Sequence, residues 1–94
     1  MKKHLLALVL VSAAIVPALA QRTITGKVTD TKGEALIGAN IFVLKTTVGT
    51  VSDVNGSFTL NLPAGAEVIS VSYTGFTTKE IEIGNLSTID VQLD

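Results

Sequence analysis

Few residues of this 94-residue sequence carry reactive side chains. Cysteine is absent, and the single histidine, His4, lies in an N-terminal apolar segment. Serine and threonine hydroxyls are numerous, but a nucleophilic hydroxyl needs a neighbouring general base. The remaining candidate bases are carboxylates and lysines at alternating positions that we expect to face solvent. The sequence therefore predicts no catalytic residue, no cofactor and a non-enzymatic role.

One short segment has a spacing that could bind a metal ion. Asp53, Asn55 and Ser57 occupy alternate positions, as the first ligands of a calcium loop do. The bidentate carboxylate that completes such a loop is missing, because residues 61–65 offer one amide and a proline turn. The favoured alternative is a tight hairpin turn in which the Asp53 carboxylate accepts hydrogen bonds from nearby backbone N–H groups. No metal site is predicted.

The N-terminal segment is typical of a secretory signal peptide. Two lysines precede a short apolar run, and Ala18 and Ala20 suit the small-residue preference of signal peptidase. We expect residues 1–20 to be removed, leaving Gln21 as the first residue of an exported protein. A retained membrane anchor is the alternative, but the apolar run is shorter than the roughly 20 residues that span a bilayer.

The remaining segment, residues 21–94, is long enough for one domain and too short for two. It carries five basic residues against eight carboxylates, so it is mildly acidic. Because it has no basic stripe that could neutralise phosphates, we expect no nucleic-acid partner. Without cysteine it has neither a disulfide nor a site for lipid attachment through a thiol, so its stability must come from one apolar core.

Apolar residues in this segment recur with a period of two, and turn residues interrupt the pattern every eight to twelve positions or so, as in short β-strands. Seven strands are predicted, at residues 22–30, 39–45, 48–53, 57–62, 67–73, 77–83 and 88–93. Asn55-Gly56 favours a hairpin between the third and fourth of them. We expect an all-β fold, a seven-stranded antiparallel β-sandwich whose sheets cover each other's apolar faces.

Five segments carry a specific set of motifs: ITGKVTD at 24–30, GEALIGANI at 33–41, GTVSDVNGSF at 49–58, LPAG at 62–65 and SYTGF at 72–76. In these motifs the sequence resembles the carboxypeptidase-regulatory-like domains of the transthyretin-like sandwich group. The resemblance implies a transthyretin-like or immunoglobulin-like sandwich. Domains of this kind often stand at the N-terminus of TonB-dependent outer-membrane transporters of the starch-utilisation type. Because no plug, barrel or energy-coupling box accompanies these motifs, the resemblance assigns no transport step to them.

Phe42 and Leu44 are apolar residues that the strand pattern places away from the core. We expect them to be an interface anchor, with cover by the loop at 35–38 as the alternative.

Two functions remain open. The first is a non-catalytic accessory domain of a TonB-dependent glycan or peptide uptake system, located in the periplasm or at the outer membrane, whose partner is a transporter plug or barrel or a lipoprotein subunit. The second is a free-standing secreted or periplasmic sandwich that binds a small molecule or glycan.

Overall fold

The computed structural model describes residues 22–94, so the predicted signal peptide and its cleavage site at Ala18, Ala20 and Gln21 lie outside the described residues. The described part contains the seven strands β1 (Arg22–Thr29), β2 (Asn40–Val43), β3 (Gly49–Val51), β4 (Ser57–Leu62), β5 (Val68–Ser72), β6 (Lys79–Glu82) and β7 (Val91–Gln92). All seven predicted strands are present, most of them shorter than expected. None of the described residues belongs to a helix of the length and hydropathy needed to cross a membrane.

The strands form two sheets, one ordered β4-β1-β7 and the other β3-β2-β5-β6. This arrangement confirms the predicted sandwich. Four of the strand pairs are antiparallel, whereas β1 and β7 are parallel, with Val28 opposite Val91 and Thr29 opposite Gln92. The parallel pair differs from the antiparallel expectation because the chain changes sheets between β6 and β7. No hairpin then constrains the direction of β7 relative to its neighbour.

The core lies between the sheets and follows the alternation of the sequence. It consists of Ile24, Val28, Leu36, Ala39, Ile41, Val43, Phe58, Leu60, Leu62, Ile69, Val71, Ile83, Ile89, Val91 and Leu93. Burying one such branched or aromatic side chain contributes about 1.5–3 kcal/mol. Both sheets supply buried residues at every second position, so the core requires no disulfide to join the layers.

Gly26 occupies a core-facing position of β1 between Ile24 and Val28. A Cβ atom there would lie 2.7 Å from the ring of Phe58 and would collide with the carbonyl oxygen of Ile89. Glycine at this position therefore lets the Phe58 ring and the strand-like segment before β7 pack directly against the β1 backbone.

The turn at residues 53–57 is tight, as predicted, but it does not close a hairpin. The Asp53 Oδ1 atom accepts hydrogen bonds from the backbone N–H groups of Asn55 and Ser57, each at 2.9 Å, which confirms the Asx-turn. The predicted pairing of the flanking strands is wrong, because β4 pairs with β1 in the other sheet. The usual Asn-Gly hairpin turn needs a positive φ at both residues, whereas only Gly56 of this pair has one, at 77°. The turn therefore directs the chain from one sheet to the other.

A second turn of the same kind starts the connection from β1 to β2, which also changes sheets. The Asp30 Oδ1 atom accepts hydrogen bonds from the N–H groups of Lys32 and Glu34, again at 2.9 Å each. The two turns are neighbours, since the Val28 N–H donates to the carbonyl oxygen of Gly56 at 2.8 Å. A repeated Asp-x-x-Gly turn thus holds two crossovers at one end of the sandwich.

Candidate interaction surface

Strand β3 is an edge strand that pairs with β2 on one side only. The Ser52 N–H donates to the Ala39 carbonyl oxygen at 3.0 Å, just beyond the end of β3. Because backbone groups of an antiparallel ladder alternate in direction, Thr50 also faces β2. The N–H and C=O groups of Gly49 and Val51 therefore point away from the sheet, where they are free to pair with another strand.

This edge lacks the charges that usually protect a sheet from further pairing. No charged residue lies between Lys45 and Asp53. The other edge of the same sheet, β6, has the sequence Lys-Glu-Ile-Glu, and its Glu80 and Glu82 are exposed. Charges on an edge strand oppose the approach of a second strand. The β3 edge therefore opposes the approach of a second strand less than the β6 edge does. Its short length is the main feature that limits such pairing.

Apolar side chains are exposed around this edge. Four of the five exposed large hydrophobic residues in the described part of the chain lie on β3 or beside it, and Leu86 is the exception. Val51 is 58% exposed and belongs to β3, Val54 follows in the next turn, and Phe42 lies on β2 opposite Gly49. We define the β3 surface as Ile37, Phe42, Gly49, Val51 and Val54. Clustered exposure of this kind is a feature of interaction sites.

The absence of a side chain at Gly49 shapes the middle of the β3 surface. A Cβ atom at Gly49 would lie 2.9 Å from the Cβ of Phe42 and 2.9 Å from the carbonyl oxygen of Ile41. Phe42 thus packs over the glycine backbone, a known way of covering a glycine at a sheet edge. An open depression remains beside it, lined by Asn40, Phe42, Thr47, Gly49, Val51 and Ser72.

The two residues predicted as an interface anchor differ in exposure and line different depressions. Phe42 points away from the core and is 38% exposed, as expected. Leu44 is half-buried in the turn after β2, where its N–H donates to the Val68 carbonyl oxygen at 3.0 Å, and it lines a separate depression. The loop at 35–38 is hydrogen-bonded to β1 and to the end of β3 and does not line the depression beside Phe42. An interface role for either residue stays a prediction.

Ser52 is a buried polar residue to which the sequence pattern gave no role. Its side chain is 3% exposed, and its Oγ atom accepts a hydrogen bond from the Ala39 N–H at 2.8 Å and donates one to the Leu36 carbonyl oxygen. The residue therefore fixes the loop before β2 to the end of β3. Thr50 and Ser52 are two positions apart, so their side chains lie on the same inner face of the sheet. This spacing is the sequence signal that could have identified Ser52 as buried.

The acidic residues of the described chain serve the turns or face solvent. Within residues 22–94, no three His, Cys, Asp or Glu side chains lie close enough together to hold a metal ion. The Asp30 and Asp53 carboxylates each accept two backbone hydrogen bonds within their own turns. A partner could therefore contact the unpaired backbone groups of β3 and the exposed apolar side chains around it.

These features define the chain as a small two-layer β-sandwich domain. The family model of the CarboxypepD_reg-like domain matches residues 24–94, and the chain belongs to this family. The resemblance found in the sequence motifs is thereby confirmed.

Curated relatives are TonB-dependent receptors. The chain is 42% identical over 69 residues to the TonB-dependent receptor SusC of Bacteroides thetaiotaomicron, a match that covers 72% of this chain and 7% of the relative. It is 35% identical over 74 residues to the TonB-dependent receptor P3 of Formosa agariphila, covering 78% of this chain and 7% of that protein. The chain thus spans less than a tenth of the length of these relatives.

A solved structure also shares the fold. The crystal structure of a type II cohesin–X-dockerin complex from Acetivibrio cellulolyticus superposes with a TM-score of 0.57 over 74% of this chain and 51% of the matched chain, at 17% identity. At this identity the likeness concerns the sandwich fold alone.

Proposed function

We propose that this chain acts as a non-catalytic accessory domain of a TonB-dependent nutrient uptake system at the outer membrane. The observation that carries the proposal is the similarity of most of the domain to proteins named as TonB-dependent receptors. Because the matched segment is only 7% of those proteins, the domain contributes contacts or spacing to uptake and leaves transport to other parts of the system.

The location proposed for the domain is the periplasmic side of the outer membrane. Export through the signal peptide at residues 1–20 would deliver it there, with Gln21 as the first residue.

The partner is the plug or barrel of a transporter or an associated lipoprotein subunit, and the transported compound is a glycan or a peptide. The β3 surface supports a role in protein contacts, because it combines exposed apolar side chains with an uncharged strand edge.

The proposal is tested first at the genomic locus and by deletion. A reading frame that continues past Asp94 into a plug and barrel would make this chain a domain of a transporter, and a stop codon would make it a separate subunit. Removing residues 22–94 in frame, with the signal peptide retained, should reduce uptake while the transporter's abundance in the outer membrane stays unchanged. Unchanged uptake would contradict the proposal.

The contact surface is tested by site-specific photocrosslinking in cells. A crosslinking side chain at Phe42 should capture an envelope protein, whereas one at Leu86, which is 51% exposed but lies outside the β3 surface, should not. If Phe42 captures no protein and the Phe42→Ser variant retains uptake, the protein-contact role is contradicted. The alternative of a free-standing sandwich that binds a small molecule or glycan would then be favoured.

A further inference from the structure

We propose that the β3 edge pairs with the β3 edge of a second copy of this chain. The pairing is antiparallel, its twofold axis passes beside Thr50, and it joins two four-stranded sheets into one continuous sheet. This inference rests on the geometry of β3 and does not depend on the assignment to an uptake system.

The free backbone groups of β3 suit this register. Gly49 and Val51 point their N–H and C=O groups outward, and a twofold axis at Thr50 places Gly49 of one copy opposite Val51 of the other. Residues whose backbone groups face each other in this way exchange both of their N–H···O bonds. The two symmetry-related Gly49–Val51 pairs would thus satisfy every outward-facing backbone group of both strands.

The side chains of this register are complementary in size. Gly49 and Val51 lie on the same outer face of the sheet, because they are two positions apart. Cross-strand neighbours directly opposite have Cβ atoms about 4.5–5.5 Å apart. Val51 of the second copy, which is 58% exposed in the single chain, would therefore enter the open depression beside Gly49 and contact Phe42. Because the two copies are related by a twofold axis, Val51 of each copy fills the depression of the other in the same way.

Charge also favours the antiparallel arrangement. The uncharged segment is flanked by Lys45 before β3 and by Asp53 after it, and both side chains are exposed. Antiparallel pairing brings the Lys45 end of one copy to the Asp53 end of the other, whereas parallel pairing would bring like charges together.

The short length of β3 limits the strength of the pairing. A stable dimer buries about 800 Å² on each partner, and a three-residue strand with its neighbours offers less. We therefore expect a dissociation constant on the order of 0.1–1 mM for the free domain. Such a contact is significant where copies are concentrated, because a high effective concentration compensates for weak affinity.

The test uses the processed protein purified from the periplasm after export of the full chain. Amide NMR spectra over a dilution series from about 1 mM to about 0.02 mM should show concentration-dependent shifts at Gly49 and Val51, with small changes at β6 and β7. In a mixture of labelled and unlabelled protein, an intermolecular NOE should join the Val51 methyl groups to the Gly49 α-protons. Sedimentation equilibrium over the same range supplies the dissociation constant.

A variant pair separates pairing from general loss of apolar surface. Val51→Lys should raise the dissociation constant at least tenfold, because it places a charge on the edge and removes the apolar side chain that fills the partner's depression. Leu86→Lys makes the same change at an exposed site outside the β3 surface and should leave the constant unchanged. Because both side chains are more than half exposed, both variants should keep the thermal midpoint of the native protein.

Three results would overturn the proposal. The first is a monomer at all concentrations with no shift at β3. The second is an equal effect of both variants, which would indicate association through general apolar contact. The third is a monomer whose β3 edge binds a strand of another protein in a Val51-dependent manner, since the occupant would then be that protein and not a second copy.

Discussion

Replacing Ser52 by alanine should destabilise the domain far more than the removal of one oxygen atom suggests. The hydroxyl bridges the Ala39 N–H and the Leu36 carbonyl oxygen, and Ala39 is fully buried. In the alanine variant these backbone groups lose their partner, and the 3% exposure of Ser52 leaves little room for water to replace it. The loss is therefore that of a buried hydrogen-bonding centre and not of a surface hydroxyl.

The size of the effect follows from these two bonds. A buried donor or acceptor left without a partner costs about 1–3 kcal/mol. Because Leu36, which carries the carbonyl, is 8% exposed and not fully buried, we expect a loss of about 2–4 kcal/mol in the free energy of unfolding. For a domain of this length, each kcal/mol corresponds to a shift of roughly 4–8 °C in the thermal midpoint. The midpoint should fall by about 8–32 °C.

Ser70→Ala is the matched control. Ser70 is buried to a similar extent, at 4% exposure, but its hydroxyl bridges no backbone groups of other elements. No buried side-chain oxygen of residues 22–94 is unpaired, so this hydroxyl retains access to solvent. Its loss should cost less than about 1 kcal/mol. Urea unfolding followed by circular dichroism should show a lower midpoint for Ser52→Ala with an unchanged slope. Equal midpoints for the two variants would refute the reasoning, because burial alone would then account for the effect.

Three further predictions concern the turns, the packing of β1 and export. Gly26→Ala should cost about 3 kcal/mol or more in unfolding free energy, because the new Cβ meets the Phe58 ring and a backbone oxygen. Gly65→Ala is the control: the site has open space but a φ of 81°, so the change should cost about 1 kcal/mol. Similar thermal midpoints for the two variants would contradict the packing argument. Asp53→Ala and Asp30→Ala should each lower the unfolding free energy by about 1–2 kcal/mol, because each removes the acceptor of two backbone hydrogen bonds. Chemical denaturation measures this loss, and a negligible effect at either turn would show that water replaces the carboxylate there. Intact-mass measurement of periplasmic protein should give Gln21 as the first residue, and a mass that includes residues 1–20 would favour the retained anchor.

The sequence predicted which residues face the core more reliably than which strands are neighbours. Ile89, Val91 and Leu93 alternate along the strand predicted at residues 88–93, and all three are buried. Ser70 alternates with the core residues Ile69 and Val71 and so faces away from the core, yet it is only 4% exposed. Strand β5 lies between β2 and β6, and Phe42 is the cross-strand neighbour of Ser70. A period of two reports the face on which a side chain lies, but the neighbours that cover that face come from strands distant in sequence.

Interface and polar residues were harder to predict for the same reason. The exposure of Phe42 follows from strand alternation, and the sequence predicted it. Leu44 is half-buried in the turn after β2, so its exposure depends on where β2 ends, and strand ends are poorly defined by alternation. The role of Ser52 depends on Ala39 and Leu36, which approach it only because the chain crosses between the sheets. Alternation can place the Ser52 side chain on the inner face, but its hydrogen-bond partners, 13 and 16 residues away, have no signature in the local sequence.

The wrong hairpin and the exposed edge have one physical cause. Had the 53–57 turn closed a hairpin, β4 would lie beside β3, the outward groups of Gly49 and Val51 would be paired, and β3 would be an interior strand. The Asp53 carboxylate instead stabilises a turn in which only Gly56 has a positive φ, and this turn sends β4 to the other sheet beside β1. The free edge at β3 is thus a consequence of the crossover. A substitution that weakens the 53–57 turn should therefore alter the register of β3 as well as stability, so the Asp53→Ala variant should show amide shift changes at Gly49 and Val51 that Asp30→Ala does not produce.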